Sequence, residues 1–175
     1  ENDANNRLPA KVGYAKGVPM GGNLSAVPKG ETAPTFLIAA LKDSIGGNLD
    51  RIQVIKGWVD VKGEMHEKVY DVAWSDDRKV DPQTGKLPSV GNTVDVANAT
   101  WTNSIGATEL VTVWQDPAFD AKQNAFYYAR VIEIPTPRWT AFDAKYFKIN
   151  MPKEVPMITT ERAYTSPIWY KPGKS

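Results

Sequence analysis

Arg138 and Trp139 end the stretch Pro135-Thr-Pro-Arg-Trp139, a proline-stiffened connection in which neither side chain is needed for a core. A guanidinium beside an exposed indole can contact an anion or a sugar, and the same two groups packed together would form a cation–π pair. Lys56 and Trp58 lie two residues apart in Gln53-Val-Ile-Lys-Gly-Trp58, so an extended strand puts them on one face, and they join the candidate ligand contacts. Met20 and Asn23 enter through the loop Gly17-Val-Pro-Met-Gly-Gly22 and the residue that follows it. That loop resembles a phosphate cradle only superficially, because a P-loop needs a Lys and then Ser or Thr after its glycines, and here Asn23 and Leu24 follow. A rigid turn, with Pro19 fixing φ and paired glycines allowing positive φ, is the competing reading.

Several chemistries are poorly supplied. The chain has no cysteine and one histidine, so thiolate metal sites, iron–sulfur clusters and cysteine nucleophiles are excluded, and a Ser-His-Asp triad would have to be built on His66 alone. His66 sits between Glu64 and Glu67 near an expected hairpin turn and reads as a solvated imidazole rather than a catalytic group. Asp76, Asp77 and Asp81 could offer oxygens to calcium, but the EF-hand spacing is missing and a solvated acidic loop outweighs it. Six tryptophans could line a sugar-stacking platform, yet Trp58, Trp74, Trp101 and Trp114 fall within strand patterns that favour a core. The sequons Asn23-Leu-Ser25 and Asn98-Ala-Thr100 decide nothing. No catalytic residue, metal ligand or cofactor is assigned to this chain.

The elements that must hold these groups are short strands. Gly and Pro number 13 each among 175 residues and are scattered, which argues against long helices and for an all-β, β-rich domain. Pro34 to Asp43 reads as a strand buried on both faces. Leu49 to Val61 reads as a strand with Ile52, Val54, Lys56 and Trp58 on one face and a bulge at Gly57. Lys62-Gly63 turns it into a second strand over Glu67 to Trp74. Asp76 to Asn92 is a long exposed loop, Thr93 to Trp101 resumes a strand pattern, and Thr108 to Trp114 leans to strand. Ala125 to Ile134, bulky on both faces, is expected to be central and stopped by Pro135. Thr140 is a fair N-cap for a short helix from Ala141 to about Phe147 that places Phe142 and Tyr146 on one side. Ala163 to Tyr170 is the last strand, with Pro167 suited to an edge or bulge. The expected architecture is a two-sheet β-sandwich with one or two short helices, comprising a polar surface arm over residues 1–10 and a single domain over residues 11–175.

The charge balance, 21 Lys plus Arg against 20 Asp plus Glu, leaves no basic footprint for nucleic acid. The longest apolar run, Phe36 to Leu41, is far shorter than the roughly 20 residues that span a bilayer.

Five words in the chain carry a resemblance: Gly17-Val-Pro-Met-Gly-Gly22, Gln53-Val-Ile-Lys-Gly-Trp58, Phe126-Tyr-Tyr-Ala-Arg-Val131, Pro135-Thr-Pro-Arg-Trp139 and Glu161-Arg-Ala-Tyr-Thr-Ser-Pro-Ile-Trp-Tyr170. In this order, from about Lys11 to Tyr170, they resemble the C-terminal region of the bacterial family called domain of unknown function number 3604. Asn23 departs from the family pattern, which usually carries aspartate after Gly-Gly, so a role for that carboxylate does not carry over. Members of the family are longer and resemble metal-dependent hydrolases of the polymerase-and-histidinol-phosphatase type, with a His- and Asp-rich centre upstream of this region. The resemblance therefore implies an accessory or structural β-domain that is not catalytic by itself, with a divalent metal and a catalytic barrel in the upstream part. It also implies that Glu1 marks a fragment or a processed product. The implied partner is the barrel of the same parent protein or another copy of this chain. Two alternatives stand beside it: a carbohydrate- or ligand-binding β-sandwich module using Trp139, and an interaction fragment whose open sheet edge is completed by another chain.

Overall fold

The computed structural model describes residues 9–24 and 32–172. Residues 1–8 of the expected polar arm lie outside them. The elements in chain order are α1 (Pro9–Lys16), β1 (Asn23–Leu24), β2 (Thr35–Leu41), β3 (Leu49–Val59), β4 (Met65–Trp74), β5 (Glu109–Gln115), β6 (Ala125–Glu133), β7 (Thr136–Pro137), α2 (Trp139–Phe147), β8 (Ile158–Thr159), β9 (Arg162–Tyr164) and β10 (Ile168–Tyr170).

β3, β4 and β6 are the long strands of a six-stranded sheet ordered β1-β10-β6-β3-β4, in which β6 and β3 are interior, β4 is an edge and β9 also pairs β6. β6 is central, as its bulk on both faces predicts, and Pro135 ends it. Its second side is shared end to end: β10 pairs Ala125 to Tyr127 and β9 pairs Arg130 to Ile132. The single last strand expected over Ala163 to Tyr170 is therefore two strands. Between them the chain is tied by the Thr165 amide, which donates to the Ala129 carbonyl at 3.0 Å, while the Thr165 hydroxyl accepts from the Ala129 amide at 2.9 Å. Pro167, which has no N–H to give a ladder, precedes β10 directly.

β2 and β5 pair antiparallel over seven residues as a separate ribbon that lies over the inner face of the large sheet. The two layers enclose a continuous apolar core. Leu49, Ile52, Leu110 and Ala129 pack with Ile38, Ala40 and Val131 at one end, and Val54, Ala125, Tyr127 and Tyr170 pack with Phe36, Trp58 and Trp114 at the other. The fold is a β-rich sandwich with two short helices, as the punctuation of the sequence predicts. β2 differs from expectation in burial. Its residues are exposed or half-buried and none is fully buried, because a two-stranded ribbon with one face on the sheet leaves the other open to water.

The bulge expected at Gly57 lies elsewhere: the register shifts between Ile52 and Gln53 against β4, and between Leu49 and Arg51 against β6. Gly57 serves a different purpose. A Cβ there would lie 2.3 Å from Cζ of Phe126, its partner across β6, so glycine lets that ring lie flat over the strand. Gly63, at φ +83°, makes the expected turn between β3 and β4.

Thr93 to Trp101 is not a strand. Only an isolated bridge joins Asp95 to Thr100, because the Asp95 carboxylate accepts the Asn98 amide at 3.1 Å and the Asn98 side chain at 2.7 Å and so turns the chain. The loop from Asp76 to Asn92 is long and largely exposed, as expected, and Arg78 pins it by donating to the carbonyls of Asp50, Ser75 and Pro88. α1 was not foreseen. It begins at Pro9, whose fixed φ suits a first helical position. α2 starts at Trp139 rather than Ala141. Its N-cap is Arg138, because the Thr140 hydroxyl donates to the Pro156 carbonyl instead of capping the helix.

Candidate functional site

The six candidate contact residues fall in three separate places. Lys56 and Trp58 are on the inner face of the large sheet, Met20 and Asn23 lie at its β1 edge, and Arg138 and Trp139 open α2.

Lys56 is 3 % exposed. Its ammonium lies 2.6 Å from Oδ2 of Asp116 and donates to the Ala118 carbonyl at 2.6 Å. The Tyr127 hydroxyl donates to the same Asp116 oxygen at 2.8 Å. Burial first, and then the Asp116 carboxylate beside it, push the Tyr127 phenol far above its ordinary range, so it stays a proton donor. The ammonium is thus committed to a buried, hydrogen-bonded ion pair, and the pair supports the core instead of facing a ligand. Trp58 sits next along this face, with the Lys56 ammonium 5.1 Å from its ring centre.

On its outer side Trp58 stacks on His66, with ring centres 5.2 Å apart and planes 19° apart. Nε2 of His66 is 2.9 Å from Oδ2 of Asp60. The hydrogen bond from His66 and then those within the turn hold the Asp60 carboxyl below the usual carboxylate range. His66 is therefore partnered on its face and at its edge, not simply solvated. The Glu64 carboxylate completes the group, and the potential ligand atoms of Asp60, Glu64 and His66 all lie within 4.8 Å of one another. The sequence signal was the spacing Asp60-x-x-x-Glu64-x-His66 across a tight turn, which becomes legible only when the turn folds both sides together. Asp76, Asp77 and Asp81 do not converge in this way. Asp81 accepts the amides of Gln83 and Thr84 and their hydrogen bonds lower its pKa, while Asp76 accepts the Gly106 amide at 3.2 Å.

The outer face of the large sheet carries an aromatic row. Phe126 stacks on Tyr128 with ring centres 6.4 Å apart, Trp169 leans on Phe126 at 5.3 Å, and Tyr164 on Tyr128 at 6.3 Å. Beside it, both Nε and Nη2 of Arg130 donate to Oε1 of Gln53, whose amide donates to Asp71 at 2.7 Å. Asn23 pairs with Trp169 in the parallel β1–β10 ladder, so this residue lies at the end of the row. Met20 is 62 % exposed in the preceding turn, which the Gly22 amide closes by donating to the Pro19 carbonyl at 3.0 Å. The structure thus gives Gly17 to Gly22 the turn geometry.

α2 reverses the usual arrangement of an amphipathic helix. Its buried residues are Thr140 and Ala141, whereas Trp139, Phe142 and Tyr146, spaced three and four apart, lie on the opposite side. They are 62 %, 47 % and 80 % exposed. Phe147, also exposed, meets Tyr146 edge to face at 4.9 Å. The Arg138 side chain makes no hydrogen bond, ion pair or cation–π contact among the described residues, so the cation–π pair with Trp139 is not formed. The sequence pattern placed Phe142 and Tyr146 together. It missed that Trp139 belongs to the same stripe because the helix start was set two residues late.

A scan against protein-family models matches residues 1–172 to the family described as protein of unknown function DUF3604. The chain belongs to the DUF3604 family. No curated protein and no solved structure matches this DUF3604 chain.

In this DUF3604 chain no described helix is long and apolar enough to cross a membrane. The DUF3604 fold presents two surfaces with chemical potential of different kinds: the α2 aromatic stripe, suited to burial against a partner, and the hairpin-tip group of one imidazole and two carboxylates, suited to a cation.

Proposed function

We propose that this domain is the accessory, non-catalytic β-domain of a bacterial metal-dependent hydrolase of the polymerase-and-histidinol-phosphatase type, lying C-terminal to the catalytic barrel and packing on it through the outer stripe of α2. The observation that carries the reading is the inverted helix. Trp139, Phe142 and Tyr146 face outward while small residues face in, and an exposed aromatic surface of this kind marks an interaction site in soluble proteins. Family membership and the resemblance of DUF3604 members to metallohydrolases support it. The divalent metal and the His- and Asp-rich centre belong, in this reading, to the upstream part.

The test compares the 175-residue chain with the full reading frame that contains it, assaying phosphatase and esterase activity with added divalent metal. Activity should require the longer protein. Turnover by the isolated chain would overturn the proposal.

A second reading is a sugar-binding module, favoured by the exposure of Trp139 beside an Arg138 side chain without a partner among the described residues. Saturable binding to a glycan array, lost in Trp139→Ala, would favour it over docking to a barrel.

A further inference from the structure

We propose that Asp60, Glu64 and His66 form a site for one divalent transition-metal ion of the zinc type at the tip of the β3–β4 hairpin. The group is chemically mixed, one imidazole nitrogen with two carboxylates, and gathers the chain's only histidine. A nitrogen donor selects zinc, cobalt, nickel or copper over magnesium or calcium, which take all-oxygen shells.

Each ligand is placed by something other than the ion. Trp58 stacks on the His66 ring and fixes its plane, with Nε2 directed at Oδ2 of Asp60 at 2.9 Å. Oδ1 of Asp60 accepts the amides of Lys62 and Glu64 at 2.8 and 2.9 Å, which anchors that carboxylate and leaves its second oxygen facing the imidazole. The Glu64 carboxylate has no hydrogen-bond or ion-pair partner among the described residues and is free to turn inward.

In a tetrahedral shell, metal–ligand bonds of about 2.0–2.2 Å place ligand atoms about 3.3–3.6 Å apart. The His66–Asp60 pair, at 2.9 Å, opens slightly to admit the ion, and the wider separations, within 4.8 Å, are those to Glu64, whose exposed side chain turns inward. The ion then replaces the proton shared between His66 and Asp60. Three protein ligands leave a fourth position open to water or to a donor from a partner, so the site resembles an open metal site rather than a closed structural one.

The test is calorimetric titration of the chelator-treated full chain with zinc chloride, with cobalt(II) absorption as a geometric readout. Expected are one saturable site, intensified visible cobalt bands, and at least about tenfold weaker binding in His66→Gln and in Glu64→Gln. The melting temperature of the metal-free Glu64→Gln chain should not fall, since that side chain makes no hydrogen bond or ion pair among the described residues. The proposal is overturned by the absence of saturable zinc binding in the unmutated chain, by binding that persists undiminished in His66→Gln, or by equal affinity for magnesium. The unmutated chain alone answers the first and third, so a folding defect in a variant does not blunt the test.

Discussion

Nζ of Lys56 lies 2.6 Å from Oδ2 of Asp116, with the two side chains 3 % and 0 % exposed. Removing one partner from such a pair strands the other charge in the core at a cost of about 3–5 kcal/mol. Asp116→Ala should therefore lower the urea midpoint severely or abolish folding. The combined change Lys56→Met, Asp116→Leu and Tyr127→Phe, which leaves no charge behind, should lose less than Asp116→Ala alone. A triple variant weaker than the single one would contradict this account.

Gly57 and Phe126 make a second, steric test. Gly57→Ala puts a methyl group into the ring and should destabilise by about 1–3 kcal/mol. Adding Phe126→Leu removes the obstruction, so the double variant should be more stable than the sum of the two singles predicts, measured by denaturant titration of the four proteins.

Glu133 gives a pH dependence. Partial burial first, and then the nearby Glu161, raise its carboxyl above the ordinary value. The folded state therefore holds this proton to higher pH than the unfolded chain does. Its contribution to stability is full below the unfolded value and is lost as pH rises through the folded one. Glu133→Gln should raise the melting temperature at about pH 7 and give no gain at about pH 3.5. An equal gain at both values would mean that the charge is not responsible.

The aromatic stripe of α2 should be nearly silent in the isolated domain. Phe142→Ser and Tyr146→Ser should each change its stability by no more than about 0.5 kcal/mol, as surface substitutions do. In the longer protein that the proposed function requires, the same changes should lower the melting temperature or separate the domain's transition from the rest. No difference in either setting would remove α2 as a docking surface.

Period-two alternation was sufficient for β3 and β4, whereas β5 rested on its β-branched Val-Thr-Val run and β6 on bulk at both faces. It failed where a local hydrogen bond outweighed the pattern: the β-branched run at Thr93 to Trp101 is turned by Asp95 and Asn98. It also failed where a distant partner decided the outcome. Thr140 looks like a cap until its hydroxyl finds the Pro156 carbonyl, and Ala163 to Tyr170 looks like one strand until β6 takes its two ends at different places. The candidate contacts were legible as residue types but not as places. The Lys56 ammonium found a buried carboxylate from another strand, and no periodicity says which side of α2 faces the core. His66 was read from its chain neighbours, whereas its environment is set across the turn by Trp58 and Asp60.

The pairing of β2 with β5 bears on how the molecule assembles. These two strands are separated along the chain by the β3–β4 hairpin and the long loop after it, so the ribbon that roofs the core cannot nucleate locally. The hairpin, whose strands are joined by only the five residues 60–64, is the natural early event, and the roof follows once a costly loop closure has been met. Until then the inner faces of β3 and β6 stand open to other chains. The slow step of folding and the period of greatest risk of aggregation are thus the same interval.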